Sequence, residues 1–199
     1  MNNIKKILII LSILLFSNCN IFSRLILGVE KHPEEKTSAQ LAAYIFKNKF
    51  PLTNQYYVEP NGLEELFKLS SNANAYFVFD SLGQLVGDSK TRNCSGLSMK
   101  IFDSVLNRNF KNIYIDNTIQ LNNLKKELIL ITHADSAKFL PSATVLFTWA
   151  TYMGKLNHMY YKKKYSQIET KIKGKNIELI SVSLDFIEKL DYSNFTKDK

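Results

Sequence analysis

Two cysteines and three histidines are the residues of this 199-residue chain best suited to nucleophilic, redox or metal chemistry, and their spacing limits what they could do. Cys94 lies in Thr91-Arg92-Asn93-Cys94-Ser95-Gly96, just ahead of an expected helix. A guanidinium two residues away and the free N–H groups of a helix start both favour a thiolate. Cys94 therefore reads either as a one-cysteine redox centre or as an ordinary half-buried cysteine following a hairpin. His32, His133 and His158 are far apart, and none has metal-ligand spacing, so neither a metal site nor a cofactor is expected. His133 and Asp135 would share a face if their segment were extended. No Ser or Cys nucleophile accompanies them, and a surface loop accounts for them equally well. The seven glycines stand singly, as turns and caps, and build no phosphate-binding loop.

Cys19 belongs to a different chemistry. The chain opens with a short basic head carrying Lys5 and Lys6, continues as the apolar run Ile7 to Phe16 interrupted by Ser12, and closes on Ser17-Asn18-Cys19. That is the layout of a secretion signal. A spanning helix needs about 20 consecutive apolar residues, and extending the run so far would bury Asn18, Asn20, Ser23 and Arg24. Phe16-Ser17-Asn18-Cys19 resembles the bacterial lipoprotein signal, with Asn18 where Gly or Ala is usual. The resemblance implies cleavage before Cys19 and lipidation of its sulfur. A plain signal peptide with an incidental cysteine, or an uncleaved anchor, is the alternative. Cleavage would remove residues 1–18 and leave 24 of the 26 basic groups against 18 acidic ones, a net +6 suited to an anionic membrane surface. A lipidated Cys19 leaves Cys94 without an intramolecular partner, which argues against dithiol cycling.

Composition excludes several classes. With 45% hydrophobic and 12% aromatic residues the chain is neither disordered nor collagen-like, and two cysteines cannot make a disulfide scaffold. The net charge of +8 suggests nucleic acid at first sight. However, Lys162-Lys163-Lys164 is the one tight basic cluster, it falls on an expected helix, and the N-terminal signal directs the chain out of the cytoplasm, so no nucleic-acid partner is expected. Its many Asn, Lys and Ile residues suggest an AT-rich bacterial genome. The length suits one domain, residues 19–199, with halves near 24–106 and 107–190.

The elements that must position any site follow from apolar periodicity. Residues 25–29 form a short apolar run, expected as a strand. Thr37 or Ser38 caps a helix striped by Leu41, Ala42, Ile45 and Phe46. Residues 54–59 read as a strand, and a short helix carrying Leu63, Leu66 and Phe67 is expected after Gly62. Asn74 to Asp80, a Ser-Leu-Gly-Gln turn and Leu85-Val86 give a strong hairpin signal. Met99, Phe102, Val105 and Leu106 stripe another helix. The Asn-rich stretch 107–125 offers only a possible strand at 113–115, and 128–131 offers another. Residues 144–149 are an uninterrupted apolar strand of the kind buried on both faces. A helix over about 156–173 follows, with Tyr161, Tyr165, Ile168 and Ile172 on one side, then Gly174 as a stop and a returning strand over 177–184. Strand, helix and strand in about forty residues predict a parallel βαβ crossover.

Val145-Leu146-Phe147-Thr148-Trp149-Ala150-Thr151-Tyr152-Met153-Gly154-Lys155-Leu156 resembles the active-site segment of membrane-anchored thioredoxin-like oxidoreductases, where a strand ends in Trp-Ala-x-Trp-Cys-x-x-Cys at a helix start. Residues 180–185 are similar to the strand that follows that helix, and the hairpin at 77–86 resembles another part of the same fold. The resemblance implies an α/β, thioredoxin-like central sheet with flanking helices, the segments in circularly permuted order or divided between two half-domains. It puts the two reactive cysteines at Met153 and Leu156, and the family's cis-proline at Asn74. Neither Met153 nor Leu156 can ionise or exchange with a disulfide. Trp149, Tyr152, Met153, Gly154, Lys155 and Leu156 thus form a degenerate redox motif. Tyr152, Lys155 and Asn157 would lie where the family meets its substrates. Tyr160 and Tyr161 read as core or groove wall rather than a cofactor box.

The expectation is a redox-inactive, lipid-anchored binding or structural protein of the bacterial cell envelope, facing the periplasm or the exterior. Its partners would be the membrane, through the lipid on Cys19, and an envelope protein or peptide. The alternative is a single-cysteine thiol or peroxide reductase using Cys94.

Overall fold

The uninterrupted run Ala143 to Trp149 can hide both of its faces only at the centre of a sheet covered on both sides. It lies there, with all seven residues buried. The computed structural model describes residues 34–51, 54–69, 75–87, 99–107, 114–132, 141–188 and 190. Within them, strands β1 (Gln55–Val58), β2 (Tyr76–Asp80), β3 (Gln84–Gly87), β4 (Tyr114–Gln120), β5 (Leu128–Leu130), β6 (Ala143–Trp149) and β7 (Ile177–Ser183) form one mixed sheet. Its order is β4-β3-β2-β6-β7-β1-β5. β6 pairs in parallel with β7, from Ala143 opposite Ile177 to Trp149 opposite Ser183, as the crossover reading requires. β7 is also parallel to β1, and the remaining pairs are antiparallel. Strands from the two expected halves are interleaved in this single sheet, with β1 of the first half between β7 and β5 of the second.

Helices cover both faces. On one side Val145, Phe147 and Trp149 pack with Leu41 and Ile45 of α1 (Ser38–Lys47) and Phe102 of α3 (Met99–Leu106). The same cluster takes in the long helix between β6 and β7, through Tyr161, Tyr165, Ile168 and Ile172. On the other side Phe77, Phe79, Leu146, Ile180 and Val182 pack with Leu63 and Leu66 of α2 (Pro60–Leu69) and with Leu121 and Leu124 of α4 (Leu121–Lys126). Each large side chain so buried contributes about 1.5–3 kcal/mol. The architecture is α/β, a mixed sheet between two helical layers.

Local chemistry sets the ends of these elements. Thr37 and Gln40 form a reciprocal capping box at the start of α1: Thr37 Oγ1 accepts from Gln40 N at 3.2 Å, and Gln40 Oε1 accepts from Thr37 N at 2.8 Å. Asp80 Oδ1 accepts from the N–H groups of Leu82 and Gln84 at 2.9 and 2.8 Å and so closes the β2–β3 hairpin. The crossover helix runs as α5 (Gly154–Tyr160), a π-helical turn over Tyr161–Tyr165 and α6 (Ser166–Ile172). It stops at Lys173, next to Gly174.

Three elements differ from expectation. α2 begins at Pro60 rather than after Gly62, because a proline lacks only an N–H that the first turn leaves unbonded. β4 covers Tyr114–Gln120, longer than the expected residues 113–115, because its pairing with β3 extends to Gln120 opposite Gln84 through a register shift. α4 was not foreseen: its six residues form where Leu121 N donates to Gly83 O at 2.8 Å and Leu121 and Leu124 are buried. The strand expected at 25–29 lies outside the described residues.

Candidate functional site

β6 delivers Trp149 to the floor of the candidate site, fully buried beneath α1. Its indole stacks on Tyr44, with centroids 5.7 Å apart and planes 8° apart, and meets the edge of Phe50 at 5.4 Å. Beyond Trp149 the chain passes Ala150 and makes one 3₁₀ turn over Thr151–Met153 before α5. Gly154 joins turn to helix at φ 53° and ψ −131°, a conformation that a side chain would oppose. Met153 therefore sits at the last residue of the turn and Leu156 in the first helical turn. Both are partly buried, as is Tyr152, while Lys155 is exposed. Tyr152 and Met153 pack against the second core cluster.

A buried carboxylate holds this loop. Asp185, just past the end of β7, is 1% exposed. Both of its oxygens accept from Thr151 N, at 3.0 and 2.9 Å; Thr151 Oγ1 donates at 2.5 Å and Ser183 Oγ at 2.7 Å. Leu184 N donates to Trp149 O at 2.8 Å, so the segments leaving β6 and β7 are tied together. Burial pushes the Asp185 carboxyl above the usual carboxylate range, opposed by the bonds from Thr151 and Ser183 and by the positive charge of Lys36. The Tyr152 phenol is raised far above its usual value by burial, with the negative charge of Asp185 adding to the effect.

Asn157, expected to face substrates, is instead fully buried. It lies on the inward stripe that continues through Tyr161, Tyr165, Ile168 and Ile172, and its Nδ2 donates to the Tyr44 hydroxyl at 3.0 Å. Trp149 Nε1 and Asn157 Oδ1 are buried without a hydrogen-bond partner among the described residues. Tyr161 is core, as expected, but carries a polar link: Gln55 Nε2 donates to its hydroxyl at 2.7 Å, and that hydroxyl shares a 3.2 Å hydrogen bond with Ser181 Oγ.

The motif positions Trp149, Tyr152, Met153, Gly154, Lys155 and Leu156 thus come together at the C-terminal end of β6. A thioether and an isobutyl group stand at 153 and 156, so no thiolate can form there. The chain entering β2 runs against the same strand end: Ala75 N donates to Thr148 Oγ1 at 2.9 Å, and Thr148 N donates to Ala75 O at 2.8 Å. Cys19, Asn74, Cys94, His32, His133 and Asp135 lie outside the described residues. Among the described residues no three His, Cys, Asp or Glu side chains gather as a metal site, and no helix is long and apolar enough to cross a membrane.

Sequence reasoning missed the Asp185–Thr151–Ser183 anchor, in which Thr151 is brought to the local Ser183–Asp185 pair by the parallel pairing of β6 and β7. It also missed the Tyr44–Asn157 bond; the one signal for it was a polar residue on an otherwise apolar helical stripe. Compared with known proteins, the chain matches no family model, no curated protein and no solved structure.

Proposed function

We propose that this chain is a redox-inactive, lipid-anchored protein of the bacterial cell envelope, with a thioredoxin-like fold in permuted segment order and a binding or structural role. The observation that carries the reading is the position of two side chains. Met153 ends the turn after the central strand, and Leu156 lies in the first turn of the helix that leads back to a parallel neighbour. In the family that this segment resembles, those two positions carry the reactive thiols. The β2–β3 hairpin lies antiparallel beside β6, with Ala75 bonded to Thr148, which is how the proline-bearing strand of such a fold would approach. With thiol exchange gone, exposed Lys155 and half-buried Tyr152 remain to meet a partner. The anchor rests on Phe16-Ser17-Asn18-Cys19, and attachment by two or more acyl chains is durable.

The test uses the full chain in bacterial cells and after purification in detergent. The wild type incorporates labelled palmitate, Cys19→Ala does not, and neither reduces insulin. Insulin reduction or peroxide consumption that vanishes in Cys94→Ser would replace this reading with the single-cysteine reductase. Equal palmitate labelling of wild type and Cys19→Ala would remove the anchor.

A further inference from the structure

Two backbone features on separate elements meet in one cleft. The first is Lys49, the left-handed residue at φ 55° that stops α1, where Phe50 N donates to Ile45 O at 2.9 Å and Lys49 N to Phe46 O at 3.1 Å. The second is the π-helical turn Tyr161–Tyr165, a feature that recurs at functional sites. Between them is a space of about 280 Å³ lined by Lys49, Phe50, His158, Tyr161, Tyr165 and Glu169, among others. Small-molecule sites usually span about 300–1,000 Å³. This cleft is at the lower end, the size of one ring-bearing molecule rather than a peptide.

Its wall is aromatic. Phe50 and Tyr161 stack at 3.6 Å, Tyr161 and Tyr165 stack at 4.6 Å, and Phe147 supports both tyrosines edge-on. Burial keeps both phenols neutral. Its rim carries opposite charges from two elements: Lys49 from the loop after α1 and Glu169 from α6. Both side chains are exposed, and neither has an ionic partner among the described residues.

We propose that this cleft binds a free aromatic α-amino acid, the ring against the Phe50–Tyr161–Tyr165 wall, the ammonium at Glu169 and the carboxylate at Lys49. The site is separate from the Met153–Leu156 loop and does not depend on the redox-inactive reading.

The test is calorimetric titration of the full chain in detergent with L-phenylalanine, leucine, hydrocinnamate (no amine) and phenethylamine (no carboxylate). L-Phenylalanine should bind saturably with a dissociation constant near or below about 1 mM. Each analogue lacking one charge should bind about two- to fivefold more weakly, the effect of a solvent-exposed ion pair. Glu169→Gln should erase the preference for L-phenylalanine over hydrocinnamate, and Lys49→Asn, which keeps a residue tolerant of the left-handed backbone, should erase that over phenethylamine. Both positions are exposed, so a variant whose thermal melt matches the wild type reports binding alone. Absence of saturable L-phenylalanine binding, equal binding of leucine, or preferences unchanged in both variants would overturn the proposal.

Discussion

Replacing Asp185 tests whether a buried carboxylate organises the loop after the central strand. Asp185→Ala leaves three donors without their acceptor: Thr151 N, Thr151 Oγ1 and Ser183 Oγ. Hydrogen bonds to a charged group contribute about 1.5–3 kcal/mol each, but removal also relieves the cost of burying the charge, and half-buried Thr151 regains water. The expected net loss is about 2–4 kcal/mol, a fall in Tm of roughly 5–15 °C for a chain of this size. Trp149, the single tryptophan, is fully buried and reports unfolding by the red shift of its emission. Asp185→Asn keeps the shape and an acceptor for Thr151, and its amide can donate to Ser183, so it isolates the charge. Because burial raises the folded-state pKa of Asp185, the folded protein holds this proton more tightly than the unfolded chain does. Stability from this group is therefore greatest below the unfolded pKa and declines as pH rises through the folded one. Urea midpoints of the full chain in detergent should show the wild type losing ground to Asp185→Asn as pH rises from about 3.5, below the ordinary Asp pKa, to neutrality. A wild type that gains on the Asn variant over that range would mean that the hydrogen bonds outweigh desolvation, refuting the reasoning.

Other substitutions probe the packing around the site. A Cβ at Gly62 would come within 2.6 Å of Val58 Cγ2 and 2.7 Å of Glu127 Cβ, so Gly62→Ala should cost about 1–3 kcal/mol by chemical denaturation despite the helix propensity of alanine. Tyr44→Phe takes the acceptor from buried Asn157 Nδ2 and should cost about 1–3 kcal/mol; Asn157→Leu in the same background should recover part of that loss if the unpaired amide is its source. Lys125 and Glu178 pair at 2.7 Å on a partly exposed rim, and Lys125→Ala should shift stability by no more than about 1 kcal/mol, less in high salt.

The parts of the fold legible in sequence are those specified by neighbours along the chain. Thr144 to Trp149 announces a doubly buried strand because it lacks any charge, Thr37 or Ser38 announces a helix start, and Asp80 with Gly83 announces a hairpin. The stripe Tyr161, Tyr165, Ile168 and Ile172 points inward as its spacing requires, although the π turn within it leaves no local signature. What remained hidden depends on partners distant in sequence. α4 owes its existence to docking beside Gly83, and Thr151 meets Asp185 across 34 residues only because β6 and β7 run parallel. Asn157 misled for a related reason: an amide near a helix start suggests a surface, but its place on the stripe puts it opposite the Tyr44 hydroxyl.

The central claim is that Met153 and Leu156 occupy the places of a lost thiol pair, and restoring the pair tests it most directly. In a Cys94→Ser background, Met153→Cys with Leu156→Cys should close to an intramolecular disulfide under oxidised glutathione. Once reduced, the thiol at 153 should titrate below the value of about 8.5 for a free cysteine. Thiols at 153 and 156 that stay unpaired under oxidant, or that titrate no lower than a free cysteine, would contradict the account.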